Sequence, residues 1–249
     1  MITLLYDGTF DGLFSAIFEG YELKLKAFKI EKNAHYISQF FDETVEIITD
    51  TKKSERVITK LESYIDKNGI RQLLYSFLSE EQGIENTILK VVQYAISSKL
   101  NVMQNITNEY VLRIVKLVKS VGREKHRMEA FVRFSLTKDQ IYFAVIEPDF
   151  DVLLLIKKHF LNRYQDQKWL IYDVKRNYGL YYDLNSVEIV HFENEISLNV
   201  NDIYDTSEIN YQELWKEYFD HTNIKERKNT KLHLQHVPKR YWKYLTEKN

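Results

Sequence analysis

The chain has 249 residues, 44% of them hydrophobic and 29% charged, with seven Gly, two Pro and a formal net charge of −1; this profile fits a folded globular protein with a sizeable core and excludes collagen-like, linker-rich and polycationic chains. There is no cysteine, so thiol nucleophiles, thiolate zinc sites and cysteine-held iron–sulfur clusters are excluded within this chain. No apolar run approaches the ~18–20 residues of a membrane span, and the opening MITLLYDGTF carries neither a basic leader nor a small-residue cleavage site, so the expectation is a cytoplasmic protein without membrane contact.

Ile2–Tyr6 reads as a short buried strand closed by the turn Asp7-Gly8-Thr9. A helix follows from Asp11, its expected N-cap, to about Tyr21, with Leu13, Phe14, Ile17, Phe18 and Tyr21 on one face. Ala27–Ile30 and Thr44–Ile48 read as strands. Ser54–Asp66 is predicted helical with a stop at Asn68-Gly69, and Ile70–Leu78, Ile84–Lys99 and Asn108–Val121 are further helices. The character then changes. Phe131–Phe134 and Ile141–Ile146 read as strands around the turn Thr137-Lys138-Asp139, and Pro148 closes the second. Asp149 or Asp151 is expected to cap a helix reaching about Tyr164. Trp169–Val174, Gly179–Asp183 and Ser186–Phe192 complete the strands, and a helix around Tyr211–Phe219 opens a basic, aromatic tail. The predicted fold is α+β: a strand–helix unit and a helical region over 1–105, then, over 106–249, an antiparallel sheet of order β-β-α-β-β-β with its helix on one face.

Charge is segregated along this chain. Arg113–Arg133 holds seven Lys/Arg against two Glu, and Thr222–Asn249 holds eight against two, whereas Glu193–Asp220 holds eight Asp/Glu against one Lys. Local potential, not the total, governs encounter with a polyanion. Aromatic residues interleave with the cations: Phe131 and Phe134 lie near Arg127 and Arg133, and Tyr241, Trp242 and Tyr244 alternate with Lys239, Arg240 and Lys243. Cations for phosphates and rings for bases are what a single-stranded nucleic acid requires. The bland alternative is that the basic tail docks on the acidic segment before it, with Tyr241 and Trp242 as core anchors.

Several groups could carry chemistry. His126 lies between Glu124 and Glu129 and could bind a metal or exchange protons, although a surface ion-pair cluster explains the same residues. His159 and Arg163 share a helix face and could meet a phosphate. Asp7 and Asp11, with Gly8 and Gly12, flank a strand–helix turn that lacks every phosphate-loop pattern. Asp173 and Asp183, with Arg176 between them, could hold a divalent cation or form a hairpin ion-pair network. His233 and His236 are spaced for a metal if helical, with His221 nearby, but Pro238 limits that helix.

Taken together, LYDGTFDGLFSAIFE (Leu5–Glu19), VGREKHRMEAFVRF, YFAVIEPDFDVLLLIKKHFLNRY and QKWLIYDVKRNYGLYYD (through Asp183) and HVPKRYWKYLTE (His236–Glu247) resemble a bacterial family of DNA-repair or DNA-metabolism proteins encoded beside a radical-SAM protein. Some members of that family are fused to a uracil-DNA-glycosylase-like domain. The resemblance implies a DNA-metabolism setting and supplies no catalytic set. It implies DNA, the radical-SAM protein and a glycosylase-like protein as partners. The resulting expectation is an accessory protein holding damaged or single-stranded DNA. In it Arg123, Arg127, Arg133, Arg163, Lys239 and Arg240 contact phosphates, and Trp169, Tyr241 or Trp242 stack on bases. Two alternatives stay open: a metal-dependent nuclease or lesion-processing hydrolase using His126 or His159 with Asp7 or Asp173, and a protein-interaction module recruiting the radical-SAM partner through the acidic segment.

Overall fold

The apolar residues of β1 (Ile2–Tyr6) place it at the centre of a sheet in the computed structural model, which describes residues 2–38, 43–192, 204–205, 207–208, 211–215, 217, 234 and 236–248. The chain divides into two units, Met1–Gly122 and Arg123–Asn249.

In the first unit β1 is flanked by β2 (Phe28–Lys32) and β3 (Thr44–Glu46), both parallel to it, in the order β2-β1-β3. Helix α1 (Phe10–Glu22) returns the chain from β1 to β2, as a parallel pair requires. Its N-cap is Thr9, whose hydroxyl accepts from the Gly12 amide at 2.9 Å. Asp11, expected there, lies inside the first turn and accepts instead from Ser54 at 2.7 Å. The outer edge of β2 is closed by Asn86, whose amide exchanges two hydrogen bonds with the backbone of Ile30, so that edge does not present free strand groups there.

Helix α2 (Thr51–Phe77) breaks at Asp66 (φ 59°), the residue where the expected Ser54–Asp66 helix ends, and then continues through Asn68-Gly69 rather than stopping there. The Asp66 carboxylate accepts from the Gly69 amide at 3.0 Å and so caps the second half. Gly69 itself packs on Ile65; its signal was packing, not termination. Helices α3 (Ile84–Ser98) and α4 (Glu109–Phe131) follow, with Asn101–Asn105 in the loop between them. Leu4, Leu13, Phe14, Ile17, Ile30, Leu61, Ile88 and Val111 are buried from solvent, each contributing ~1.5–3 kcal/mol of apolar burial.

α4 carries the chain into the second unit. It extends to Phe131, so the strand expected at Phe131–Phe134 shrinks to β4 (Ser135–Leu136): the aromatic pair there packs as a helix end and its exit. β5 (Tyr142–Ile146), α5 (Leu153–Arg163), β6 (Trp169–Asp173), β7 (Tyr178–Tyr182) and β8 (Val187–Val190) build a five-stranded sheet in sequence order. Three of its pairs are antiparallel, as expected; β5 and β6 run parallel because α5 carries the chain back between them. Neither Asp149 nor Asp151 caps α5. Val152 occupies that position without a side-chain bond, because both carboxylates are engaged elsewhere. Residues 211–215 are helical, and the C-terminal segment forms short 3₁₀ turns at Lys239–Tyr244 and Thr246–Lys248. No helix among the described residues is long and apolar enough to cross a membrane.

Candidate nucleic-acid interface

The basic stretches of the second unit meet at one carboxylate. Glu124, on the last turns of α4, is 1% exposed. Its Oε1 accepts from the Tyr241 hydroxyl at 2.5 Å and from the Asp149 amide at 3.0 Å. Its Oε2 lies 3.1 Å from Arg240 and 3.6 Å from Arg127. Arg240 also reaches Asp149 Oδ2 at 2.6 Å, donates to the Tyr241 oxygen and lies over that ring. Burial, with the neighbouring Glu124 carboxylate, pushes the Tyr241 hydroxyl well above the ordinary phenol range, so it stays protonated and donates. A carboxylate this buried is tolerated because its acceptor sites are taken. The result is a joint among α4, the loop after β5 and the C-terminal turn, made at one carboxylate.

That loop, Glu147–Asp151, lies beyond the C-terminal ends of the parallel strands β5 and β6. Arg176 donates to the carbonyls of Pro148 and Asp149 and pairs with Asp173 at 2.8 Å, while Lys175 adds a bond to the Asp149 carbonyl. Asp173 is fully buried; desolvation raises its carboxyl despite Arg176. Tyr178 donates to Asp151 at 2.5 Å. Lys243 and Tyr244 both donate to Glu147 and hold its carboxyl below the usual glutamate range. Arg133 pairs with Glu247 at 2.8 Å through a two-nitrogen fork, and Trp215 donates to the same carboxylate.

These partners sort the residues expected to touch a ligand. Arg123, Arg163 and Lys239 are exposed and have no carboxylate partner among the described residues; Arg163 lies 5.7 Å from the Tyr164 ring. Arg127 and Arg240 are partly committed to Glu124, and Arg240 remains 41% exposed. Arg133 is committed to Glu247, which removes it as a free phosphate contact. Trp169 is 1% and Tyr241 2% exposed, so neither ring offers a face for stacking; both are core, one on β6 and one on Glu124. Trp242 is half-buried, with its indole N–H on the Val237 carbonyl and Lys248 near its ring.

The acid–base candidates do not converge. His126 is exposed and stands 3.8 Å from Glu129, beyond hydrogen-bonding distance, while Glu129 is taken by Lys125. His159 packs against Phe160. Asp7, in the first unit, accepts from the Thr9 amide and hydroxyl and from Thr49, and these bonds outweigh partial burial to lower its carboxyl. Asp173 belongs to Arg176, and Asp183 accepts from the Asn185 and Ser186 amides, so the two do not share a cation. Among the described residues no three His, Asp or Glu side chains converge as a metal site. His236 is exposed; His221, His233 and most of Glu193–Asp220 lie outside the described residues. Sequence reasoning missed Glu147, Asp149 and Glu247 as anchors of the cations. The acidic run Glu147–Asp151, placed between an apolar strand and an apolar helix, was the available signal.

Residues 82–247 match the family model of a domain of unknown function, DUF4130. No curated protein matches the chain.

Proposed function

The chain belongs to the DUF4130 family, and from that premise and the geometry above we propose that its second unit is an accessory DNA-binding module in DNA repair, engaging single-stranded or damaged DNA. One observation carries this reading. Glu124 gathers Arg127, three residues on, and Arg240, 116 residues on, onto one carboxylate, with Arg123 and Lys239 exposed on the same two segments. With Arg127 and Arg240 balanced by Glu124 and Asp149, Arg123 and Lys239 are left as the exposed cations of the two segments, and exposed cations of this kind draw a polyanion. Arg123 and Lys239 contact phosphates, while Arg127 and Arg240, held by Glu124 and Asp149, position the two segments that carry them. The radical-SAM protein that the family resemblance implies, and a glycosylase-like protein with it, are the partners that would supply the chemistry.

The test is fluorescence anisotropy of labelled single-stranded, duplex and uracil-containing DNA across a salt series. Affinity is expected to fall with salt, and Arg123→Ala and Lys239→Ala each to reduce the slope of log K against log salt by about 0.7–0.9 while weakening all sequences alike. Binding that stays flat with salt, or slopes that neither substitution moves, would overturn the reading. DNA cleavage or base release by the chain with Mg²⁺, Mn²⁺ or Zn²⁺ would replace it with the enzymatic alternative.

A further inference from the structure

The first unit carries a groove that the reading above does not use. It is lined by the apolar Phe18, Tyr21, Val57, Leu61 and Ile96 of α1, α2 and α3 together with the charged Glu22, Arg56 and Lys60, with a volume of about 520 Å³. Tyr21 is 45% exposed at its wall. Beside it, Lys52, Arg56 and Lys60 stand exposed at i, i+4 and i+8 of α2, about 6 Å apart along the helix axis. Like charges at this spacing repel, each pair costing a few tenths of a kcal/mol in an isolated helix, so the stripe is not explained by helix stability. The charges are not neutralised by ion pairs either. Lys53, one residue along, pairs with Glu19 and Glu22, whereas Lys52, Arg56 and Lys60 have no carboxylate partner among the described residues. Arg56 lies 5.1 Å from the Phe18 ring and Lys60 5.1 Å from the Tyr64 ring, contacts that hold a cation without cancelling its charge. Among the described residues two carboxylates line this surface, Glu55 and Glu22; Glu22 is already met by Lys53, so three cations without a carboxylate partner stand against Glu55 and the stripe keeps a positive excess.

We infer that this groove docks an acidic amphipathic helix from a partner protein. An apolar helix face packs on Phe18, Val57 and Ile96, above the fully buried Leu61, and carboxylates repeating every four residues on its flank meet the stripe. Charge complementarity selects acidic over basic partners. A single DNA strand fits less well: the floor is largely aliphatic, and Phe18, one of its two rings, already carries Lys53 and Arg56 over it, whereas strand binding relies on open stacking platforms.

The experiment titrates the full chain against a fluorescein-labelled 18-residue helical peptide with a leucine face and Glu at every fourth flanking position. The same peptide with Lys for Glu, and a labelled 20-nucleotide thymidine strand, serve as competitors. The acidic peptide is expected to bind, neither competitor to displace it, and Arg56→Glu with Lys60→Glu to weaken it by about tenfold or more. Because the double reversal could disturb α2, Arg56→Gln with Lys60→Gln, which suits a helix, is measured alongside and is expected to give a smaller loss in the same direction. Absence of binding by the acidic peptide, equal binding of the Lys peptide, displacement by the thymidine strand, unchanged affinity in both double variants, or self-association of the chain blocked by the peptide would each overturn the inference.

Discussion

Replacing Glu124 separates a structural joint from a decorative ion pair. In Glu124→Ala the Tyr241 hydroxyl, within a ring that is 2% exposed, and the Asp149 amide lose their acceptor. The buried Tyr241 donor left unpaired costs ~1–3 kcal/mol, and the amide of the exposed Asp149, which water can reach, costs less. Arg240 and Arg127 are 41% and 23% exposed and can turn to water, so their share is discounted to well under 1 kcal/mol each. The expected loss is about 3 kcal/mol. Glu124→Gln keeps a carbonyl oxygen for Tyr241 and Asp149 and turns an amide toward the arginines, so about 1 kcal/mol is expected. Tyr241→Phe removes a donor but leaves the carboxylate its other partners, again about 1 kcal/mol. Because Glu124 and Tyr241 share one bond, the Ala/Phe double variant should cost less than the two single losses together. The assay is urea unfolding followed by tryptophan emission. All three tryptophans, Trp169, Trp215 and Trp242, belong to the second unit, so the signal reports that unit. For an m-value of about 2 kcal/mol/M, the Ala midpoint should fall by roughly 1.5 M. A Glu124→Ala midpoint within about 0.5 M of the parent, or a Gln variant as damaged as Ala, would refute the reasoning.

Two further outcomes are expected. Glu147 is held below its ordinary value by Lys243 and Tyr244, and Glu247, although burial pushes it up, is held below by Arg133 and Trp215. A depressed carboxyl stabilises the fold above its unfolded pKa and loses that contribution as pH falls through the folded one. The C-terminal turn should therefore loosen below about pH 4.5, read as a change in tryptophan emission that Glu147→Gln diminishes; an emission flat to pH 3 would count against it. Asp173, raised by burial, acts in the opposite sense and favours the fold as it protonates. In the first unit, a Cβ on Gly12 would lie 2.2 Å from Asp7 Oδ1 and 2.8 Å from Thr49 Oγ1. Gly12→Ala should thus open the Asp7–Thr9–Thr49 cap and cost about 2 kcal/mol, measured by far-ultraviolet circular dichroism melting; an unchanged melt would show that the cap yields without cost.

Local pattern carried much of the fold. The 3.6-residue period located α1, α3 and α4, and short β-rich runs located β1, β5, β6 and β7, because those signals are set by a residue's nearest neighbours. Pairing was less legible. That β5 and β6 run parallel depends on α5 folding back over the sheet, and no residue within either strand records it. The break at Asp66 coincides with the end of the expected helix, but its cause was not legible: Gly69 mimics a helix stop while its lack of a side chain serves contact with Ile65. At the candidate interface the cations were visible, but their partners were not. Arg133 and Glu247 are 114 residues apart, and sequence alone does not say which cations such pairs remove from the free surface. Trp169 and Tyr241 misled for a related reason: an aromatic beside charged residues reads the same whether its ring faces a base or the core.

The parallel pairing of β5 with β6 also sets an order of events in time. Tyr142 meets Trp169 across 27 intervening steps of chain, whereas the turns joining β6 to β7 and β7 to β8 each close within a few residues. Short hairpins form in microseconds, while distant registry waits on the closure of a longer loop. The C-terminal meander can therefore assemble early, with β5 joining once α5 is wound. During synthesis the order is reversed: β4 and β5 leave the ribosome before β6, so Phe143 and Ile146, buried in the finished sheet, emerge before the strand that pairs with theirs.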